Sequence, residues 1–336
     1  DLKKKLEDFL PALGKLTFQT ELGSMLDKAQ RIEALAGALA PLVGLTPEEQ
    51  TATARAAQLC KADLATQMVV EMTSLQGVMG RDYALHSGEP EDVAVAIFEH
   101  YLPRSADDTG PKSKPGLVVG LADRLDSLAG LFAAGLAPSG NKDPFALRRA
   151  ALGLVGNLIE WNTPLDLQSA LSRAASNLPI EASPVSQAEC LTFVVERLRH
   201  IFLEQGYAHD VVDAIVSAQG HNPALAAQAV KELSQWVGRK DWATILPAYS
   251  RCVRITRTGD GRRGTEVDAD FFENDAERKL FATLQTAEAA LTADTRHSTL
   301  DVFLTAILPM IPAIDNFFED VLVMAEHQNV RDNRLA

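Results

Sequence analysis

Apolar residues recur every three or four positions through nearly the whole chain, and the strict alternation of a half-buried strand is scarce. That periodicity leaves little room for anything but helices packed on helices, so the sequence predicts an all-α fold. Phe18, Leu22, Met25, Leu26, Ile32, Leu35, Ala36 and Leu39 form one stripe, with Asp27, Lys28 and Arg31 on the other faces. Pro41 and Gly44 end that helix. In the next, Thr46 is the expected N-cap, Pro47 fits the first helical position and Glu49 completes a capping box. Similar patterns cover 90–102, 117–135, 144–161, 164–176, 186–204, 207–219, 222–237, 269–292, 298–307 and 311–329. No repeat of 20–50 residues is detectable.

At 336 residues and 46% hydrophobic content the chain is long enough for two domains with real cores, which excludes a disordered chain. By this reading no stretch approaches the ~18 apolar residues of a membrane span, so no membrane partner is expected. Cys60, Cys190 and Cys252 are odd in number and far apart, which suggests free thiols in a reducing cytoplasm. The sequence opens at Asp1 without methionine and ends in RDNRLA, and we read it as a piece of something longer. Three breaks stand out: 105–116, 177–186 and 257–265, of which 177–186 (NLPIEASPVS) is the expected domain boundary.

Forty-five acidic and 32 basic residues give a net charge of −13, which by itself argues against a nucleic-acid partner. A local patch argues the other way. Residues 231–263 carry Lys231, Arg239, Lys240, Arg251, Arg254, Arg257, Arg262 and Arg263 against only Glu232, Asp241 and Asp260. Arg251, Arg254 and Arg257 sit three apart and can share one helical face. Such a face suits a phosphate backbone, although charge alone leaves a solvated helix paired to acidic neighbours equally open. The run from Gly259 to Gly264 is a literal G-x-G-x-x-G, but it lacks the strand and helix that dinucleotide binding requires, so we read it as a turn and expect no cofactor in this chain. Ser139-Gly140-Asn141-Lys142-Asp143 reads as the turn into a helix with Pro144 at its first position, and Arg148-Arg149 fits a solvated face or a phosphate contact.

A second pattern lies in the first half, where Ala62-Asp63 and the distant Asp123 and Asp126 resemble the ligand order of helical HD-superfamily phosphohydrolases. Those enzymes hold a metal with a histidine, a His-Asp doublet and a far aspartate. Here the doublet has lost its histidine and the helix around Lys28–Arg31 offers none, so the metal site reads as degenerate and no metal is expected. Lys61, Asp63, Arg81, His86, Asp123 and Asp126 are placed near this vestigial pocket, where they could bind an acceptor-end nucleotide or satisfy one another. His86 and His100 are read as surface or capping histidines.

The runs LGSMLDKAQRI (22–32), CKADLATQMVVEMTSLQGVMGRDYALHSGE (60–89), AIFEHYLPR (96–104), GLADRLDSLAGLFAAGLAPSGNKDPFALRRAALG (120–153) and FFEDVLVMAEHQNVRDNRLA (317–336) resemble the β subunits of bacterial heterotetrameric glycyl-tRNA synthetases over nearly the whole chain. The resemblance implies the C-terminal half of that subunit: an HD-like helical domain at 1–160, a helical linker at 161–205, and at 206–336 a body and anticodon-binding domain similar to that of arginyl-tRNA synthetases, truncated at its end. It implies tRNA-Gly and the α subunit of an α2β2 assembly as partners. It further implies a bacterial cytoplasmic location, and ATP and magnesium used through the α subunit, where the catalytic residues lie. On this reading Arg251, Arg254, Arg257, Arg262, Arg263, Arg331, Asn333 and Arg334 contact tRNA, with pinning of the terminal helix as the alternative for Arg331 and Arg334. The competing functions are a metal-dependent HD-type phosphohydrolase and a purely structural assembly module.

Overall fold

The computed structural model describes residues 3–105, 108–257, 266–293 and 299–336. After a 3-10 turn at Leu6–Phe9 come α1 (Leu10–Leu13), the antiparallel pair β1 (Thr17–Gln19) and β2 (Gly23–Ser24), α2 (Met25–Val43) and α3 (Pro47–Leu59). A 3-10 turn at Ala62–Ala65 leads to α4 (Gln67–Glu71), α5 (Val78–His86), α6 (Glu91–Glu99), α7 (Lys114–Ala133), α8 (Leu147–Glu160) and α9 (Leu167–Ser176). There follow α10 (Pro184–Glu204), α11 (His209–Gln219), α12 (Pro223–Val237), α13 (Trp242–Arg257), α14 (Asp275–Ala293), α15 (Leu300–Ile307), α16 (Ile311–Asp320) and α17 (Gln328–Leu335). The all-α expectation holds; the small hairpin is the exception among the described residues.

Local chemistry sets the helix ends. At α3 the predicted capping box is present: Glu49 N donates to Thr46 Oγ1 (3.2 Å) and Thr46 N to Glu49 Oε2 (2.8 Å), with Pro47 at the first position. The stripe assigned to one long helix is corrected at its start. Phe18 and Leu22 belong to the hairpin region, and α2 begins only after Ser24, whose hydroxyl and backbone exchange bonds with Asp27. Gly44 ends α2 at φ 69°, where a side chain would be strained. The helix expected from Pro144 begins at Leu147, because both Asp143 carboxylate oxygens accept from Leu147 N and Arg148 N (2.8 and 2.9 Å).

The chain divides into two compact units, 1–227 and 228–336. In the first, α7 is the central helix, packed against α2, α3, α6, α8, α9 and α10 and buried nearly all round. Close approach depends on its glycines; a Cβ at Gly120 would lie 2.9 Å from the His100 carbonyl oxygen. The expected boundary at 177–186 is a short connection within this unit. Leu178 packs toward Gly130 of α7, the Phe132 and Phe193 rings sit 5.3 Å apart, and Cys190, Val194, Leu198 and Phe202 of α10 are buried. The proposed linker at 161–205 is therefore part of the first core.

The second unit builds its core from Trp236, Ile245, Ala248, Ala287, Leu304, Met310, Ile311 and Ile314, with a smaller cluster of Ala276, Phe317, Val321 and Val323. The segment Leu300–Asp320 has the length and mean hydropathy (1.4) to cross a membrane by composition alone, which corrects the reading that no such stretch exists. In the fold a 3-10 turn at Leu308–Met310 interrupts it, and its apolar side chains supply both clusters.

Candidate functional site

In the first unit the spacing that suggested a vestigial pocket does bring Lys61, Asp63, Asp123 and Asp126 together. Lys61 follows α3, Asp63 sits in the next 3-10 turn, and the two aspartates lie one turn apart on α7. Lys61 Nζ donates to Asp123 Oδ2 (2.7 Å), lies 2.9 Å from His100 Nε2 and stands 4.2 Å from the centroid of the Tyr101 ring. Lys28 Nζ lies 2.9 Å from Asp123 Oδ1, without hydrogen-bond alignment, and donates to Asp126 Oδ2 (3.0 Å) and Ser127 Oγ (2.8 Å). Arg31 donates through Nε to Asp126 Oδ1 (2.6 Å) and through Nη1 to the Leu22 carbonyl (2.9 Å). Lys28, Arg31, Lys61, Asp63, His100 and Asp126 are all buried.

Electrostatics sorts these groups. Burial pushes the Asp123 carboxyl up, but Lys28 and Lys61 overcome it and hold the group well below the ordinary carboxylate range. Asp63 is different: burial raises its carboxyl despite bonds to Oδ2 from Gly77 N (2.7 Å) and Gly80 N (3.1 Å), and its Oδ1 has no hydrogen-bond partner. His100 Nδ1 lies 2.6 Å from the Ile97 carbonyl oxygen, which fixes the proton there and leaves Nε2 to accept from Lys61. Burial, then the Lys61 charge, pushes the imidazole well below its usual value, so the ring is neutral.

A pH dependence follows. The His100 value is depressed on folding, so the unfolded chain takes up a proton that the folded chain refuses. Its contribution to stability is complete above about pH 6.5 and falls by up to about 1.4 kcal/mol per pH unit below it. Asp63, with a raised carboxyl, works in the opposite sense. Urea unfolding of the first unit between about pH 7 and pH 5.5 should show that decline, and His100→Gln should flatten it.

Two residues assigned to the pocket are elsewhere. Arg81 donates to Asp82 and lies over Phe98, and His86 is exposed at the end of α5. Conversely, His100 is fully buried in the cluster rather than on the surface, and Lys28, Arg31 and Tyr101 join it. A divalent ion does not fit this set: both carboxylates of α7 are faced by cations, and the free imidazole nitrogen accepts from an ammonium. Among the described residues no three His, Cys, Asp or Glu side chains are arranged to hold a metal. The carboxylates of α7 are neutralised by the chain's own cations, and this donor set does not favour the phosphohydrolase.

In the second unit, Arg251, Arg254 and Arg257 are exposed on α13. Arg251 Nη1 lies 3.3 Å from Asp315 Oδ1; Arg254 and Arg257 pair with no acidic side chain among the described residues. Before them on the same helix α13 also exposes Leu246 and Tyr249. Arg262 and Arg263, with the glycine-rich run, lie outside the described residues. The C-terminal residues named as tRNA contacts take part in the fold's own bonds. Asn333 bonds Asp268 through both ends of its amide (2.7 and 3.0 Å), and Arg331 donates to Gln328. Arg334, its side chain 6% exposed, donates to Glu277 Oε1 and Glu273 Oε2 (2.6 Å each) and to the Leu322 carbonyl (3.1 Å), bonds that tie α17 to the start of α14.

Residues 1–217 match the family described as glycyl-tRNA synthetase beta subunit. The chain belongs to that family. Residues 245–336 match the DALR anticodon binding domain, so Arg251, Arg254 and Arg257 fall inside it, whereas the buried ionic cluster falls in the beta-subunit match. The glycine--tRNA ligase beta subunit of Clostridioides difficile strain 630 is 34% identical over 339 residues, all of this chain and 48% of its own length. That of Actinobacillus pleuropneumoniae serotype 5b is 39% identical over 341 residues, again with 48% of its length covered. The chloroplastic/mitochondrial glycine--tRNA ligase 2 of Arabidopsis thaliana is 36% identical over 338 residues, with 31% of its length covered. The chain thus spans about half the length of the bacterial relatives it matches.

Proposed function

We propose that this chain is the tRNA-recognition part of a glycine–tRNA ligase β subunit, binding the anticodon arm of tRNA-Gly. On this reading a separate α subunit in an α2β2 assembly activates glycine with ATP and magnesium and transfers it, and the location is the bacterial cytoplasm. The observation that carries the proposal is a run of exposed arginines on α13 within the part of the chain that matches an anticodon binding domain. Arginine suits this task because its planar fork can bridge phosphate oxygens and its flat face can stack on a base. The chain's net charge of −13 does not oppose it. Acidic surfaces elsewhere repel the phosphate backbone from every track but the basic one, which discourages non-specific binding. The buried cluster of the first unit, whose polar groups face one another, serves as scaffold rather than as a nucleotide pocket.

The test is tRNA binding by the full subunit carrying Arg251→Gln, Arg254→Gln and Arg257→Gln together. Affinity for tRNA-Gly should fall roughly 10–100-fold at moderate salt, and the slope of log affinity against log salt should flatten by about 2–3. An anticodon-swapped tRNA should lose the same preference on the unaltered protein. Unchanged affinity in the triple variant would sink the assignment of this face.

A further inference from the structure

Lys61 occupies a point on which electron-rich groups converge from three directions. The His100 imidazole presents the lone pair of Nε2 at 2.9 Å, with its proton fixed on the far side by the Ile97 carbonyl. Asp123 presents Oδ2 at 2.7 Å, and the Tyr101 ring presents its π face at 4.2 Å. An imidazole nitrogen and a carboxylate oxygen on one buried point are ligand types for a divalent transition metal. The cation found there belongs to the chain itself.

We propose that Lys61 is a tethered cation standing in for a divalent metal ion, with Lys28 supplying the second positive charge, so that this unit is built around a metal-type site and needs no metal. The charges match. Lys28 and Lys61 each approach a different oxygen of Asp123, 2.9 and 2.7 Å away, and together carry the charge of one divalent ion. The Lys61 distance is that of a charge-assisted hydrogen bond and the Lys28 distance that of an ion pair, whereas a metal would need ligands at about 2.0–2.2 Å. No ion can approach Asp123 Oδ2 and His100 Nε2 so closely while the Lys61 ammonium lies between them. The surroundings carry more polar surface than the ammonium serves: Asp63 Oδ1 and the Tyr101 hydroxyl are buried without a hydrogen-bond partner. Such surplus donor and acceptor atoms belong to a site shaped by a larger coordination shell than three ammonium protons can complete. This inference is independent of RNA binding.

The test uses the full subunit. Metal analysis of protein produced with added zinc and manganese should find no stoichiometric ion, and melting should be the same in EDTA, Zn²⁺ or Mn²⁺ to within about 1 °C. Lys61→Ala uncovers His100 Nε2 and Asp123 Oδ2. Its melting temperature should drop by roughly 5–15 °C, and Zn²⁺ should recover several degrees of that loss through binding to the folded form. Adding His100→Ala or Asp123→Asn should abolish the recovery. Lys61→Ser, which leaves room for a water beside the ion, keeps the measurement in reach if the alanine variant does not fold. A stoichiometric metal in the unaltered protein overturns the proposal. So does a Lys61 variant whose melting ignores both metals, since that outcome makes Lys61 an ordinary buried ion-pair partner.

Discussion

Asp126→Ala is expected to destabilise the first unit by about 3–5 kcal/mol, the largest loss from any single substitution considered for it. The carboxylate receives Arg31 Nε at 2.6 Å, Arg31 Nη2 at 3.3 Å and Lys28 Nζ at 3.0 Å. All three side chains are buried, so truncation strands an arginine and a lysine in a medium that cannot solvate them. Asp126→Asn keeps the shape and one acceptor oxygen but removes the charge, and should fall between the alanine variant and the native chain. The comparison is Asp82→Ala, which breaks an exposed pair with Arg81 and should cost less than about 1 kcal/mol. Urea unfolding of the three variants decides it. If Asp126→Ala costs no more than Asp82→Ala, the cluster contributes nothing net to the fold.

That cluster also shows what a sequence reading reaches and where it stops. Asp63, Asp123 and Asp126, with Lys61 beside the first, were legible because carboxylates at those spacings resembled a known ligand order, and α7 does place its two aspartates one turn apart. The periodicity puts Lys28 and Arg31 on the faces away from the apolar stripe, where charge is normally exposed; nothing local to α2 reveals that two carboxylates from α7 wait opposite. His100 did carry a signal. Val93, Ile97 and His100 recur at the helical spacing of the buried stripe of α6, which argues for burial over exposure; His100 keeps its place as the C-cap of α6, with Nδ1 on the Ile97 carbonyl. Arg81 failed for the converse reason: it adjoins Gly80, whose N–H binds Asp63, yet its own side chain leaves on another face of α5.

Helix starts were legible where a side chain performs the capping, as at Thr46 and Glu49. The hairpin was missed because Phe18, Leu22 and Met25 also satisfy a helical period, and a strand of three residues is too short to show its own. The domain boundary was misplaced for a different reason. A turn-rich run such as 177–186 reports where the chain bends, and only tertiary contacts report whether it returns to the same core. Leu178 and α10 do return to α7, so the bend is internal.

In the second unit the corresponding prediction concerns Arg334. Replacing it with alanine should destabilise this unit by about 2–4 kcal/mol and release α17, seen as faster hydrogen exchange across residues 328–335. Glu277 is the reason. Its Oε2 accepts from Glu273 N (2.6 Å) and Asn274 N (2.9 Å) at the start of α14, while Oε1 faces Arg334, and the carboxylate side chain is only 2% exposed. Burial alone would raise this carboxyl, and Arg334 with the two backbone amides outweighs it, leaving it lowered. A lowered folded value means stability that is present above the unfolded value near pH 4.5 and lost as pH falls through the folded one, and Arg334→Ala should shrink that acid loss. Arg334→Lys should restore little, because a point charge cannot bridge Glu273, Glu277 and the Leu322 carbonyl at once. The same variant separates pinning from contact. If Arg334 only holds α17 in place, tRNA affinity changes with the ordering of that helix and the salt slope stays as it was. If its guanidinium neutralises a phosphate, the slope drops by about 0.7–0.9 even where exchange across α17 is unchanged.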